Sequence, residues 1–255
     1  MLIAAAFVPS TPMLVPELAA GAAHELDDAR EACDAAVDHL LDAEPDLIVV
    51  LGSAPRSGPY PATAAGTFAP WGVDLRVGPA DSAAELPLSL VVGRWLLDRQ
   101  EVSTPVLPFG VAPDEDPQRC EALGSGLATR SPRIAALVVG DGTACRDPKS
   151  PGSFDPRAAD VDAAIDDALA DPASEGLRAL DVELARDLKV DGRAAWQVAQ
   201  AMESASLAYD DDEARDTDAG EGSRGPRGRL EGRLLRCEEP FGVHYVIATW
   251  GLSTS

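Results

Sequence analysis

Side chains that bind metals are scarce in this sequence. It has three histidines and four cysteines in 255 residues. The cysteines lie far apart, no two of them form a CxxC pair, and no two histidines have the HxH or HxxxH spacing. Structural zinc sites and disulfide frameworks need such groupings. The sequence therefore predicts neither, and we expect four reduced thiols.

Basic residues and long apolar runs are also few in this sequence. The chain has 21 basic and 43 acidic residues, a net charge of −22. An acidic surface repels phosphate backbones and anionic lipids, so we expect no nucleic acid and no membrane as a partner. No apolar run approaches the roughly 20 residues of a membrane span. The first apolar segment, residues 2–6, is too short and too close to prolines for a signal peptide, which favours a cytoplasmic protein.

Short apolar runs alternate along the chain with segments of helical periodicity, and this pattern is typical of an α/β protein. We expect residues 1–255 to form one domain with a mostly buried central sheet flanked by helices. Continuous apolar runs predict buried strands at residues 2–6, 47–51 and 134–139, with weaker strands at 73–77 and 104–107. Helices are predicted at residues 19–41, 82–98, 117–129, 156–170 and 191–208, and one or two short helices within residues 175–188.

The last third of the chain contains a closing hairpin and a polar insert. Residues 230–236 and 245–250 predict a pair of antiparallel strands. Residues 210–228 have no apolar periodicity and consist mostly of Asp, Glu, Gly, Arg and Ser, which indicates an acidic, flexible insert. It is either a regulatory tail or a tolerated loop insertion, and its composition favours the insertion.

Three loops that follow apolar strands are candidates for a pocket, because ligands of open α/β sheets bind at the carboxyl ends of strands. The first is stiffened by Pro9, Pro12 and Pro16, since proline fixes its own φ and restricts the residue before it. Polar side chains of these loops, together with one histidine of the last strand, are the candidate pocket residues: Ser10, Thr11, Ser53, Arg56, Asp141, Thr143, Cys145 and His244.

Each of these residues also has a structural interpretation. Asp141 can orient a ligand or cap the next turn. Cys145 lies beside Arg146, which can lower the pKa of a thiol, but an isolated cysteine is more often inert. His244 is the histidine that we place nearest to a pocket, although a core role is the commoner one. No catalytic residue is assigned from these patterns.

Five segments of the chain follow one another in an order found in a known family. They are residues 9–17 (PSTPMLVPE), 46–54 (DLIVVLGSA), 140–144 (GDGTA) with 151–158 (PGSFDPRA), 190–192 (VDG) and 239–245 (EPFGVHY). In these segments the chain resembles the LigB-like catalytic chains of class III extradiol ring-cleavage dioxygenases and the related Memo-like proteins. The resemblance covers nearly the whole chain and implies an α/β fold.

The resemblance also implies an oxidoreductase that holds Fe(II) with two histidines and a carboxylate. The matching positions of this chain are Ser10, Ala54 and Val190, and Ala144 stands where the family has its acid/base histidine. Asp191, next to Val190, joins the candidate pocket residues. Hydroxyl and methyl groups cannot replace imidazoles, so we expect a degenerate metal site and no cofactor. Fe(II), the family's cofactor, is the first to test.

The leading hypothesis is therefore a small-molecule-binding protein without iron chemistry. Its ligand is anionic or aromatic, and Arg56 favours an anion because its guanidinium is always charged. One alternative is an active ring-opening dioxygenase with displaced ligands, drawn from His244, Asp141 or Asp191, and Glu17. The other is a structural or regulatory component of a complex, acting as a homo-oligomer or with a partner chain.

Overall fold

A mixed sheet runs through the centre of the protein. The computed structural model describes residues 1–82, 85–100, 102–216 and 229–252. Within these residues, seven strands form one sheet in the order β3-β6-β2-β7-β1-β9-β8, and β4 pairs with β5 in a small ribbon. The strands are β1 (Leu2–Val8), β2 (Leu47–Ser53), β3 (Gly58–Pro59), β4 (Gly66–Thr67), β5 (Arg76–Val77), β6 (Val106–Val111), β7 (Ile134–Val139), β8 (Leu230–Glu238) and β9 (Tyr245–Leu252).

The middle of the sheet is parallel, with antiparallel strands on both sides. β6, β2, β7 and β1 are parallel neighbours. β3 is antiparallel to β6, and β9 is antiparallel to β1. β8 and β9 form an antiparallel hairpin. The predicted α/β fold with a closing C-terminal hairpin is confirmed.

Helices cover both faces of the sheet, which explains why its strands are apolar on both sides. In β1, Leu2, Ala5 and Phe7 face one core, while Ile3, Ala6 and Val8 face the other. Helices α4 to α7 pack on the first face, and α2 and α3 on the second. The α-helices are α1 (Pro16–Ala19), α2 (Asp27–Asp42), α3 (Leu88–Asp98), α4 (Pro117–Ala128), α5 (Ala158–Ala170), α6 (Val182–Leu188) and α7 (Arg193–Asp216).

The segment predicted as one helix over residues 19–41 contains a break. α1 passes into a 3-10 segment, Ala20–Leu26, and α2 begins only at Asp27. Leu26 has φ −113° and ψ 14°, outside the helical region, and marks the boundary. Arg30 donates to the backbone oxygens of Leu14 and Ala23, so its buried side chain holds the irregular segment against α2.

Three elements in the middle of the chain have other bounds than predicted. α3 begins at Leu88 instead of residue 82, because Pro87 at its N-cap has an extended backbone with φ −68° and ψ 163°. The strand predicted at residues 73–77 is reduced to β5, and the weak strand at 104–107 is shifted into β6. In β6, Pro108 and Gly110 obscure the strand pattern in the sequence.

α7 is longer than the predicted helix 191–208. It runs to Asp216, so the first residues of the predicted insert 210–228 belong to this helix. Residues 217–228 lie outside the described part of the chain. Among the described residues, no helix combines the length and the apolar character that crossing a membrane requires.

Candidate functional site

The parallel strands end together at one edge of the sheet, and the predicted loops begin there. The register aligns Val8 of β1 with Val139 of β7, and Val139 with Gly52 of β2. The backbone N–H of Gly140 donates to the carbonyl oxygen of Val8 over 2.9 Å, so the loops after β1 and β7 start side by side. This edge is where open α/β sheets bind ligands.

Ser10 and Asp141 connect the loops after β1 and β7. The backbone N–H of Ser10 donates to Oδ1 of Asp141 over 2.9 Å, and its hydroxyl donates to Oδ2 over 2.8 Å. Ser10 itself is buried. One serine therefore supplies a donor to each oxygen of the Asp141 carboxyl and fixes its orientation.

The loop between α6 and α7 brings a second carboxyl group to the same place. Gly192 donates its N–H to the carbonyl oxygen of Asp141 over 3.0 Å. A Cβ atom on Gly140 would lie 2.3 Å from the Cα of Gly192, so this close approach of two backbones requires glycine at residue 140. The hydroxyl groups of Ser53 and Ser10 lie near the Asp191 carboxyl and lower its pKa. We call Ser10, Ser53, Asp141 and Asp191 the Ser–Asp cluster.

Both carboxyl groups of the Ser–Asp cluster have raised pKa values. Burial raises the pKa of Asp141 to about 7, with a further contribution from the charge of Asp191, while hydrogen bonds from Ser10 lower it. Burial also raises the pKa of Asp191, against the lowering effect of the nearby hydroxyl groups of Ser53 and Ser10. The cluster therefore binds a proton much closer to neutral pH than exposed aspartates do.

A cleft of about 250 Å³ opens beside Asp191. Two cations from the end of α6, Arg186 and Lys189, line it. Within the described residues, neither side chain makes a hydrogen bond or an ion pair, so both are free to bind an anion. The cleft-lining residues are Pro113, Asp114, Ala185, Arg186, Lys189, Val190 and Asp191.

Arg193, at the start of α7, holds one wall of the cleft. Its Nη2 donates to the carbonyl oxygens of Pro113 and Glu115 over 2.9 and 2.7 Å, and its Nη1 donates to Oε1 of Gln197 over 2.8 Å. The residue is fully buried, and burial lowers the pKa of its guanidinium. The loop after β6 is thereby fixed opposite α6.

The structure does not bring Arg56 to the cleft. Arg56 is exposed, and its guanidinium carbon lies 5.6 Å from the centroid of the Tyr60 ring. Its neighbour Ser57 accepts from the N–H of Ala112, which ties this loop to the end of β6. The sequence analysis expected Arg56 to provide the positive charge for an anionic ligand. In the structure, the basic residues that line the cleft are Arg186 and Lys189.

Thr11 and Thr143 have structural contacts. Oγ1 of Thr11 accepts from the N–H of Met13 over 3.3 Å and so caps a 3-10 turn, and the hydroxyl lies near that of Tyr245, whose pKa it lowers. Thr143 is fully buried, and its N–H and hydroxyl donate to the carboxyl of Asp162 over 2.9 and 2.7 Å. Neither threonine lines the cleft.

His244 is buried against α5. Its Nε2 lies 2.9 Å from Oδ1 of Asp166, and its Nδ1 has no hydrogen-bond partner in the described part of the chain. Burial lowers the pKa of His244, but the hydrogen bond to Asp166 and the charges of nearby carboxylates raise it above its ordinary value. A Cβ on Gly142 would lie 2.6 Å from the imidazole Cδ2, so the ring packs directly on the loop after β7.

Cys145 has the environment of an inert thiol. It is buried, with its Sγ 3.5 Å from the carbonyl oxygen of Leu188. Burial and the charge of Asp155 raise the pKa of the thiol. Arg146 does not activate it, because its guanidinium donates to Asp162 and Glu239. Of the two alternatives considered from the sequence, this environment favours the inert thiol.

The residues that the sequence resemblance matches to the metal ligands of extradiol dioxygenases do not form a ferrous site. The hydroxyl of Ser10 donates to Asp141, while Ala54 and Val190 present buried apolar side chains, and Ala144 is also buried. Among the described residues, no group of three or more His, Cys, Asp or Glu side chains is placed to hold a metal ion. This donor set does not fit Fe(II) bound by two imidazoles and a carboxylate.

The cations of the cleft were missed by sequence reasoning, as was the role of Arg193. Arg186 and Lys189 lie just before residues 190–192, one of the segments that carried the family resemblance. Two basic residues immediately N-terminal to that segment were the available signal. No local pattern indicates that Arg193 is buried, because its partners Pro113 and Glu115 are distant in sequence.

Comparisons with known proteins add little to this description. No protein-family model matches the chain, and no curated protein matches it. A solved structure described as "Crystal structure of uncharacterized protein JW3007 from Escherichia coli K12" superposes with a TM-score of 0.47 at 12% sequence identity. The match covers 98% of this chain and 99% of that one. At this similarity it bears on neither fold nor function.

Proposed function

We propose that this protein binds a small anionic molecule in the cleft beside the Ser–Asp cluster. Its scaffold is that of a class III extradiol dioxygenase-like protein, of the LigB-like type, without that family's iron chemistry. The observation that carries the proposal is the pair of cations, Arg186 and Lys189, in a cleft of about 250 Å³ next to Asp191. A volume of this size accommodates a small metabolite.

The position of the Ser–Asp cluster supports the scaffold part of the proposal. Ser10, Ala54 and Val190 match ligand positions of the family but are far apart in the sequence. In the structure, the hydroxyl groups of Ser10 and of Ser53, the neighbour of Ala54, lie near the carboxyl group of Asp191, the neighbour of Val190. A chance resemblance would not be expected to bring these positions together.

Charge favours an anion over an aromatic hydrocarbon. Arg186 and Lys189 are exposed, so each alone gains little from a carboxylate in water, but an anion that accepts hydrogen bonds from both at once gains more. Asp114 and Asp191 also line the cleft. A ligand with a carboxylate near the cations and a hydrogen-bond donor or a neutral group near Asp191 therefore suits it best.

Calorimetric titration with small carboxylates tests the binding. The probes are pyruvate, succinate and citrate, with inorganic phosphate as a carboxylate-free anion. We expect at least one probe to bind, and the double variant Arg186→Gln/Lys189→Gln to weaken its binding by roughly tenfold, since each exposed ion pair contributes up to about 1 kcal/mol. Absence of binding by every probe would contradict the proposal.

The control variant is Arg119→Gln/Arg130→Gln. It removes the same two charges from exposed positions that do not line the cleft. We expect it to leave the affinity within about threefold of wild type, because distant surface charges are screened by salt. An equal loss in both double variants would mean that net charge, and not the cleft, governs binding.

Anaerobic loading with Fe(II) tests the metal-free part of the proposal. The protein is purified without a metal-chelating tag, and the bound iron per chain is counted after desalting. We expect no retained iron in protein that stays folded by circular dichroism. One tightly held iron per chain would favour the alternative of an active ring-opening dioxygenase with displaced ligands, and assays on catechols would follow.

A further inference from the structure

The two edges of the central sheet differ in how they are protected against further strands. One edge is β3, which has two residues, and one of them is Pro59, which has no backbone N–H. The other edge is β8, which has nine residues and no proline. Within the described part of the chain, β9 is the only strand that pairs with β8. The outer side of β8 is therefore a place where another strand can join the sheet.

A β-bulge divides β8 into two parts. The register with β9 shifts between Leu234 and Arg236, so the regular ladder ends at Leu234. A bulge twists its strand and interrupts the row of backbone groups that a partner strand needs. The part of β8 that can accept a partner is therefore Leu230–Leu234, with the sequence LEGRL. We call these five residues the β8 edge segment.

The side chains of the β8 edge segment alternate between the two faces of the sheet. Leu230 and Leu234 pack in the core on the face that α4 to α7 cover. Gly232 lies between them, and a Cβ there would lie 2.5 Å from a carbonyl oxygen at the end of α5, which accounts for the glycine. Glu231 and Arg233 point to the other face and are exposed.

These two charged side chains are unpaired in the described part of the chain. Neither Glu231 nor Arg233 makes a hydrogen bond or an ion pair there. Their neighbours across the ladder are Gly251 and Thr249 of β9, which carry no charge. An opposite charge on an adjacent strand would stabilise each of them. The outer side of β8 is where such charges can be supplied.

The order of residues in the β8 edge segment favours pairing with a second copy of itself. In either direction from Gly232 there is one charged residue and then one leucine, and the two charges have opposite signs. If two segments pair antiparallel about a two-fold axis at Gly232, Glu231 of each copy lies opposite Arg233 of the other. Leu230 then lies opposite Leu234. Like charges at the two charged positions would oppose this pairing.

We propose that two copies of this protein associate by antiparallel pairing of their β8 edge segments, which joins the two central sheets. The proposal is independent of anion binding, because the cleft lies beside the loop after β6, near the other edge of the sheet. A pair of five-residue strands is smaller than the interfaces of stable dimers. Repulsion between two copies of net charge −22 also opposes association. We therefore expect a weak dimer in exchange with the monomer.

Sedimentation equilibrium of the full chain measures this association. The experiment is done at about 0.15 M salt, where the Debye length is about 8 Å and long-range repulsion is screened. We expect a monomer–dimer equilibrium with a Kd in the micromolar to millimolar range. A protein that stays monomeric up to about 1 mM, where binding free energy is about −4 kcal/mol, would overturn the proposal.

Charge reversal shows whether the β8 edge segments form the interface. Glu231→Arg and Arg233→Glu each turn both ion pairs between the copies into like-charge pairs, so we expect each variant to raise the Kd roughly tenfold or more. The double variant Glu231→Arg/Arg233→Glu restores two opposite-charge pairs with their signs exchanged. Its Kd should return to within about threefold of wild type.

The matched controls are Glu121→Arg and Arg119→Glu, which make the same charge changes at exposed positions of α4. They should leave the Kd within about threefold of wild type, because distant surface charges are screened by salt. Circular dichroism checks that every variant is folded. A dimer that the two single reversals in β8 leave unchanged, or that the double variant does not restore, would overturn the proposal.

Hydrogen exchange of the wild-type protein gives a test that needs no variant. Outward-facing backbone amides of the β8 edge segment are bonded only in the dimer, so their exchange should slow as protein concentration rises. Amides of β7, in the middle of the sheet, are the internal control and should not change. A dimer that forms without added protection in the β8 edge segment would overturn the proposal. None of these outcomes affects the cleft, which the anion titrations test.

Discussion

At the scale of single residues, Asp141 has an unusual balance of interactions. Ser10 donates a hydrogen bond to each of its oxygens, which stabilises the charged form, and yet the pKa of Asp141 is raised to about 7. Burial and the neighbouring Asp191 outweigh the two donors. A carboxyl group with a raised pKa in the folded protein lowers the free energy of unfolding at pH values where the same group is ionised in the unfolded chain.

This balance predicts how stability depends on pH. The pKa of Asp141 is about 7 in the folded protein and 3.8 ordinarily. Between these pH values the folded protein binds more protons than the unfolded chain. The free energy of unfolding therefore falls as pH rises from about 4 to about 7. We expect the melting temperature of Asp141→Asn, relative to that of wild type, to be higher at pH 8 than at pH 4. Thermal unfolding at both values measures the difference, and Asp187→Asn, at an exposed site, should show none.

His244 gives a second prediction with the same direction of pH dependence, but here the interaction stabilises the fold. Four carboxyl groups contribute to its environment: Asp166 and Asp162 of α5, Glu239 before β9, and Asp141 after β7. The pKa of His244 is raised above 6.5, so its ion pair with Asp166 stabilises the fold fully below about pH 6.5 and is lost as pH rises through the folded value.

Replacing the partner of His244 tests this sign. We expect Asp166→Asn to lower the pKa of His244 and to destabilise the protein by about 1.5–3 kcal/mol near pH 6, with a smaller effect at pH 9. Titration of the histidine ring proton by NMR measures the pKa. Asp167→Asn, at the next and exposed position of α5, is the control and should shift neither quantity.

At the scale of elements, α4 and α7 pack unusually closely because of one glycine. A Cβ on Gly124 would lie 2.5 Å from the Cβ of Ala201 and 2.5 Å from the carbonyl oxygen of Val198. Gly126 lies two residues further along α4, and a Cβ there would meet nothing within 4 Å. The two glycines have similar intrinsic helix propensity but different packing.

These glycines form a matched pair for mutagenesis. Alanine improves intrinsic helix propensity by about 1 kcal/mol. We expect Gly126→Ala to stabilise the protein by about 0.5–1 kcal/mol. We expect Gly124→Ala to destabilise it by about 1–3 kcal/mol, because the added methyl group must separate two helices. Chemical denaturation measures both, and stabilisation by both would contradict the close packing.

The elements show where sequence reasoning succeeds and where it does not. β1, β2 and β7 were predictable because strands buried on both faces are continuously apolar. The predicted bounds of β6 were displaced from the observed ones because Pro108 and Gly110 interrupt its apolar character. Its pairing with β2 is set by tertiary structure. The break before α2 and the late start of α3 depend on backbone angles at Leu26 and Pro87. Such angles have only weak local signals.

The candidate site was predictable in part for a related reason. Ser10 and Asp141 follow predictable strands, so the rule for carboxyl ends of parallel strands placed them at one edge. Arg186 and Lys189 belong to a short helix whose docking depends on long-range contacts. The structure brought these cations into the cleft and left Arg56 outside it, and no pattern within either segment distinguishes the two outcomes.

At the scale of the whole molecule, the net charge of −22 is a source of self-repulsion. Screening weakens this repulsion, since the Debye length falls from about 30 Å at 0.01 M salt to about 10 Å at 0.1 M. We expect the melting temperature to rise by about 2–4 °C over this range, equivalent to about 1 kcal/mol. NaCl and KCl should act equally. A difference between chloride and a carboxylate salt at equal ionic strength would instead indicate binding of the anion.

The place of β1 in the sheet has a consequence for how the protein acquires its structure during synthesis. Leu2 pairs with Ile134 and Ala5 pairs with Trp250, so β1 lies between strands encoded far downstream. While the ribosome is still translating the middle of the chain, this apolar strand has neither neighbour. It must remain unaggregated until β7 emerges, and its other side is covered only after β9 follows. Slow, late closure of the sheet, with a need for chaperones in the meantime, is the expected result.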